Sequence, residues 1–129
     1  MVRTVKTKPL TPLELEIMQA LWELEGGTVQ QVQEHLLPVS KLAYTTVQTM
    51  LTVLHRKGMV KRKLVGKAHQ YSPAISEVSA RTTAARDLVR RFFEGSAQQL
   101  VMALVRSRDL SPEKLAQLAR ELEKQEEQP

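Results

Sequence analysis

The chain has 129 residues, 42% apolar and 26% charged, with a formal charge of +5, a length with a prior of about one domain and too short for a large enzyme with a deep cleft. Cysteine is absent, which excludes a disulfide framework, a Cys-ligated zinc site and a thiol nucleophile. No apolar run approaches the ~18 residues of a membrane span and Met1 to Lys8 lacks the apolar core of a signal peptide, so a cytoplasmic protein is expected.

Charge is distributed unevenly. Residues 1–75 hold ten basic and five acidic side chains, whereas residues 76–129 hold nine of each. Between Glu34 and Glu77 there is no acid at all, and that gap carries Lys41, Arg56, Lys57, Lys61, Arg62, Lys63 and Lys67. A duplex with one phosphate charge per ~1.7 Å is a natural counter-surface for such a stretch.

In chain order, Thr11-Pro12-Leu13-Glu14 reads as a capping box with proline at the first helical position. Ile17, Met18, Leu21 and Trp22 follow on one face, and Gly26-Gly27 is expected to end the helix. A short second helix starts after Thr28, with Val29, Val32, Leu36 and Leu37 at helical spacing, and Pro38 stops it. The third helix, Ala43 to Lys57, buries Val47, Met50, Leu51 and Leu54 and is closed by Gly58. Its opposite stripe is Thr45, Gln48, Thr49, Thr52 and Arg56, with no acid. At 1.5 Å per residue this helix is about 22 Å long, enough to lie in a DNA major groove.

After Gly58 the period changes to two. Met59 to Val65 and Ala68 to Ser72 read as strands joined at Gly66-Lys67 and ended by Pro73. Three helices and a hairpin make a winged helix-turn-helix, with an unrelated α+β domain as the bland alternative. The remainder is helical: Ser76 caps a helix to Phe93 that Gly95 ends, a shorter helix follows, and Ser111-Pro112-Glu113 opens the last. The fold class expected is therefore mainly α, a winged-helix domain over residues 1–75 and a three-helix domain over 76–129. The apolar stripes of the second half are Val78, Ala85, Leu88, Val89 and Phe92, then Leu100, Val101, Leu104 and Val105, then Leu115, Leu118, Ala119 and Leu122. They are expected to bury against a second copy, giving a homodimer, with packing onto the first domain as the alternative. Gln125 to Pro129 reads as a frayed polar tail.

In this arrangement Lys41, Lys61, Arg62, Lys63 and Lys67 flank the third helix and hold phosphates, while Thr45, Gln48, Thr49 and Thr52 meet base edges. Tyr44 either bonds a phosphate or packs the helix start, and Arg3, Lys6 and Lys8 either form an arm on the backbone or stay free. Catalysis has little support: His35, His55 and His69 lack metal-ligand spacing, and there is no Gly-rich phosphate loop or serine elbow. No metal, cofactor or small-molecule substrate is expected. The competing function is a winged-helix module docking an acidic protein, which would need large apolar anchors where the stripe has small polar groups.

Leu10 to Trp22 (LTPLELEIMQALW), Leu42 to Gly58 (LAYTTVQTMLTVLHRKG) and the hairpin ending His69-Gln70-Tyr71-Ser72-Pro73 resemble the penicillinase-repressor family, the BlaI/MecI group of bacterial regulators, over about Leu10 to Lys124. The resemblance implies a dimeric repressor on a palindromic operator, controlling β-lactam-response genes in some members. It maps DNA-facing positions onto Thr45, Thr46, Gln48, Thr49 and Thr52. Members of the staphylococcal branch are inactivated when a membrane sensor triggers cleavage at an Asn-Phe bond, whose place here is Ala103-Leu104. A copper-sensing branch uses C-terminal cysteines, which this chain does not have.

Overall fold

A computed structural model describes residues 9–127. Arg3, Lys6 and Lys8 lie outside them. The helices are α1 (Pro12–Leu24), α2 (Val29–Leu36), α3 (Tyr44–Arg56), α4 (Glu77–Phe92), α5 (Ala97–Arg106) and α6 (Pro112–Glu127), and the strands are β1 (Val60–Val65) and β2 (Ala68–Pro73). The chain divides into two compact units between Ala85 and Arg86. That division falls within α4, whereas the composition changes at 75/76.

In the first unit the helix starts follow the capping chemistry. Thr11 accepts from the Glu14 N–H and Glu14 accepts from the Thr11 N–H, a reciprocal pair that satisfies two orphan donors. Thr28 and Gln31 repeat the device on α2. Ile17, Met18 and Leu21 of α1, Val32 of α2 and Val47, Leu51 and Leu54 of α3 are fully enclosed, and Met59, Val60 and Tyr71 of the hairpin segment close the same core. Each large apolar side chain so buried contributes roughly 1.5–3 kcal/mol relative to exposure.

The hairpin is antiparallel, with Val65 opposite Ala68, Lys61 opposite Ser72 and Val60 opposite Pro73. Its twofold alternation puts Val60 and Tyr71 on the core side and leaves Lys61 to Lys67 exposed. β2 therefore extends one residue further than expected, through Pro73, because that residue still pairs with Val60.

The end of α1 departs from expectation. The left-handed residue that closes it is Glu25, at φ +61, and not a glycine. Gly26 and Gly27 serve a different purpose: Gly27 exchanges two 2.8 Å backbone hydrogen bonds with Tyr71, adding a bridge to the free edge of β2. Gly26 sits at φ +122, where an added Cβ would lie 3.0 Å from the Tyr71 carbonyl oxygen. The glycine pair lets the chain approach the sheet.

The second unit holds the rest of α4 with α5 and α6. Ser96 and Ser111 accept from backbone N–H groups at the starts of the last two helices. None of the described residues from Arg86 onward is buried, and Phe92 is 70% and Leu122 60% exposed. Where the sequence leads one to expect a frayed tail from Gln125, α6 instead stays helical to Glu127, since Glu, Lys and Gln are good helix formers.

Candidate nucleic-acid interface

α3 is the centre of the basic region. Val47, Leu51 and Leu54 anchor it in the core, so the stripe on its other side faces outward: Thr45, Gln48, Thr49 and Arg56 are exposed and Thr46 and Thr52 are half-buried. Its position is set by ties outside its own backbone. Gln33 Nε2 donates to the Leu42 carbonyl at 3.1 Å, fixing the entry to α3 from α2, and Ser40 Oγ donates to Glu16 at 2.7 Å, fixing the turn to α1. The helix start is Ala43, which offers no side-chain cap, and its first turn has no acid. The positive end of the helix dipole is thus left without a local anion.

The outward stripe is not uniform in chemistry. The Thr52 hydroxyl donates to the Gln48 carbonyl at 2.9 Å, so it is engaged by its own helix and presents its methyl. Thr45, Gln48 and Thr49 are exposed, and among the described residues none of them has such a side-chain hydrogen bond.

Tyr44 and Gln48 of α3, Thr28 and Gln30 at the start of α2, and Lys67 and His69 of the hairpin line one cleft of about 280 Å³. Tyr44, one of its lining residues, is 46% exposed. His69 and Tyr71 rings lie 6.2 Å apart in a tilted arrangement along the hairpin wall. Of the sequence-derived candidates, Tyr44, Gln48 and Lys67 are therefore brought together.

Lys61, Arg62 and Lys63 are placed elsewhere. They line a second hollow with Glu25, Gly26, Gln70 and Ser72, at the base of the hairpin. Lys41 is exposed in the segment before α3, and Arg56 is exposed at its last residue. Lys57, the remaining cation of the acid-free stretch, is engaged with Glu14 at 2.7 Å. Burial works against the Glu14 charge, but the Lys57 ammonium and the Thr11 N–H and hydroxyl outweigh it and hold the carboxyl below its ordinary value.

Thr28, Gln30 and His69 were not singled out from sequence as groove residues. Thr28 and Gln30 sit in a helix start that sequence marks only as a cap. His69 would have been found by the hairpin register, which sets it opposite Leu64 on the face shared with Tyr71.

The other sequence candidates lie beyond this region. Val78 and Ala85 are exposed on the first half of α4, and Leu88 and Phe92 are exposed on its second half with Val89 half-buried. Leu100 and Leu115 are half-buried, while Leu104, Leu118 and Leu122 are exposed. The Ala103-Leu104 bond is inside α5, where the Leu104 carbonyl accepts from the Leu110 N–H and from Ser107 Oγ. Among the described residues there is no group of three or more His, Asp or Glu placed to hold a metal, and no helix is long and apolar enough to cross a membrane.

Residues 10–124 match the family model described as penicillinase repressor. The chain is 24% identical over 119 residues to the methicillin resistance regulatory protein MecI of Staphylococcus aureus strain N315, covering 92% of this chain and 97% of that one. It is 27% identical over 118 residues to the penicillinase repressor of Bacillus licheniformis, covering 92% of each. The solution structure of the DNA binding domain of the repressor BlaI superposes with a TM-score of 0.50 at 28% identity, covering 59% of this chain and 90% of that domain. A match of this extent, on a three-helix-and-hairpin unit followed by three helices, means that the chain belongs to the penicillinase repressor family.

Proposed function

We propose that this chain is a cytoplasmic, dimeric transcriptional repressor that binds a palindromic operator and blocks promoter use, with β-lactam-response genes as the regulon that its relatives' names suggest. The observation that carries the reading is the exposed, acid-free face of α3 beside a cleft shared with the hairpin. Thr45, Thr46, Gln48 and Thr49 meet base edges in the major groove, Gln48 pairing with adenine and the threonines offering hydroxyl and methyl groups. Thr52 contributes its methyl to thymine. Tyr44, Lys41, Arg56, Lys61, Arg62, Lys63 and Lys67 hold phosphates and set the register of α3 on the duplex.

Dimerisation belongs to the second unit. A helical segment of roughly 40 residues is too small to stabilise itself without a partner, and this one leaves Phe92, Leu104, Leu118 and Leu122 exposed. Pairing of these stripes with those of a second copy buries them and presents two α3 helices to two half-sites. Relief of repression by a membrane sensor or protease would require local opening of α5 before the Ala103-Leu104 bond could be reached.

The test is the salt dependence of binding to the promoter DNA adjoining the chain's own gene. Neutralising six to eight phosphates per dimer gives a log K versus log salt slope of about −5 to −7. Binding indifferent to salt between low and physiological ionic strength would sink the proposal.

A further inference from the structure

The first unit carries a hollow away from the α3 cleft. Leu10, Leu15 and Trp22 wall it on one side and Ala80 and Ala84 on the other, around a volume of about 180 Å³. The space is kept open by two features of the walls. Trp22 Nε1 donates to the Ile75 carbonyl at 3.0 Å, which holds the indole in place. Alanine at two positions four apart on α4 supplies only methyl groups where longer side chains would fill the gap.

Size and charge narrow the occupant. An apolar cavity of about 150 Å³ takes benzene, whereas drug-sized ligands need roughly 300 Å³ or more. Of the polar residues that also line the hollow, Glu77 and Arg81 pair with each other at 3.1 Å, and Gln19 offers an amide with both donors and an acceptor. The two paired side chains are solvent-exposed, Arg81 at 72% and Glu77 at 43%, and neutralise each other, so a charged ligand finds no net counter-charge there and would give up hydration against the apolar walls. An uncharged ring with one polar substituent loses nothing there.

We propose that this hollow is a binding site for a small, uncharged, single-ring aromatic compound carrying one hydrogen-bonding group, its ring against Trp22 and its polar group toward Gln19. None of the residues assigned to DNA contact takes part. α4 continues past Ala85 into the second unit, so a ligand held against its first half acts on the helix that joins the two. An effect on DNA affinity is the corollary, and it rests on the repressor reading.

Trp22 is the chain's single tryptophan, so its emission reads the hollow directly. Titrating the full chain with benzyl alcohol is expected to give a saturable emission change, half-complete on the order of millimolar for about eight non-hydrogen atoms at moderate ligand efficiency. Benzoate is expected to bind at least tenfold more weakly. Ala84→Leu, at an exposed helix position, and separately Ala80→Leu should abolish saturation with unchanged far-ultraviolet circular dichroism. An unsaturable quench equal in wild type and both variants overturns the site, and benzoate binding as tightly as the alcohol overturns the uncharged class. Emission that tracks protein concentration and ignores the probe assigns the hollow to a second copy and overturns the proposal. With saturating benzyl alcohol, the midpoint of a mobility shift on the adjoining promoter DNA should move at least threefold; an unmoved midpoint removes the corollary alone. If no shift occurs with or without the probe, the repressor reading fails while the fluorescence result still decides the site.

Discussion

The Glu14 carboxylate accepts a 2.7 Å hydrogen bond from the Lys57 ammonium and, with its other oxygen, caps the Thr11 N–H at 2.9 Å. One buried side chain thus ties the start of α1 to the residue that follows α3. Glu14 is 3% exposed and Lys57 43%, so solvent screens the pair only from the lysine side. Removing one partner of a fully buried pair costs about 3–5 kcal/mol; with Lys57 partly solvated, Lys57→Met is expected to cost about 1–3 kcal/mol in urea unfolding. A cost below about 0.5 kcal/mol would show that the pair holds nothing.

The same carboxyl sets a pH dependence. Its folded-state pKa is depressed, so its contribution to stability is complete above the ordinary carboxylate range and is lost as pH falls through the lowered folded value. Glu14→Gln should flatten the acid limb of the stability–pH curve relative to wild type while lowering stability near neutrality. Parallel curves for the two proteins would contradict the assignment.

Gly26→Ala should destabilise the first unit more than Gly58→Ala. Both positions have positive φ, but a Cβ at Gly26 meets the Tyr71 carbonyl at 3.0 Å whereas one at Gly58 meets nothing within 4 Å. Strain of about 1 kcal/mol is expected at Gly58 and about 2–3 kcal/mol at Gly26. Thermal melts that rank the two in the opposite order would refute the close-approach explanation.

On DNA, Gln48→Ala and Thr49→Ala should flatten the difference between operator and random sequence by about 1–3 kcal/mol each. Lys61→Ala should weaken both alike and reduce the salt slope by about one. Thr52→Val keeps the methyl and loses only a hydroxyl that is already bonded to the Gln48 carbonyl, so its affinity should stay within about threefold of wild type. Equal losses for all four would contradict the division of roles.

Phe92→Asp and Leu122→Asp place a charge on the exposed apolar stripes of α4 and α6. Sedimentation equilibrium at micromolar concentration should show each variant shifted toward the mass of one chain, with DNA affinity at least tenfold lower. A dimer mass unchanged in both variants would exclude these stripes from the interface.

Sequence by itself determined the elements and the character of the basic face. The capping box at Thr11, Pro12 and Pro38, and the switch from a period of 3.6 to 2 after Gly58 are local signals, written by nearest neighbours along the chain, and the order and type of the elements follow them, while the ends of α1, β2 and α6 do not. The outward stripe of α3 was legible for the same reason: burying Val47, Leu51 and Leu54 leaves Thr45, Gln48 and Thr49 no other side to occupy. Tertiary structure decided what depends on residues far apart in sequence. Only folding sets Lys57 against Glu14, so that a cation counted with the basic stretch is spent on α1, and only the hairpin register sends Lys67 to the α3 cleft while Lys61 to Lys63 sit beside Glu25. Gly26-Gly27 read as a helix stop because that is their local propensity, yet their backbone joins β2 at Tyr71. The +5 of the chain is a sum over residues; which of those charges face a common surface is a property of the fold.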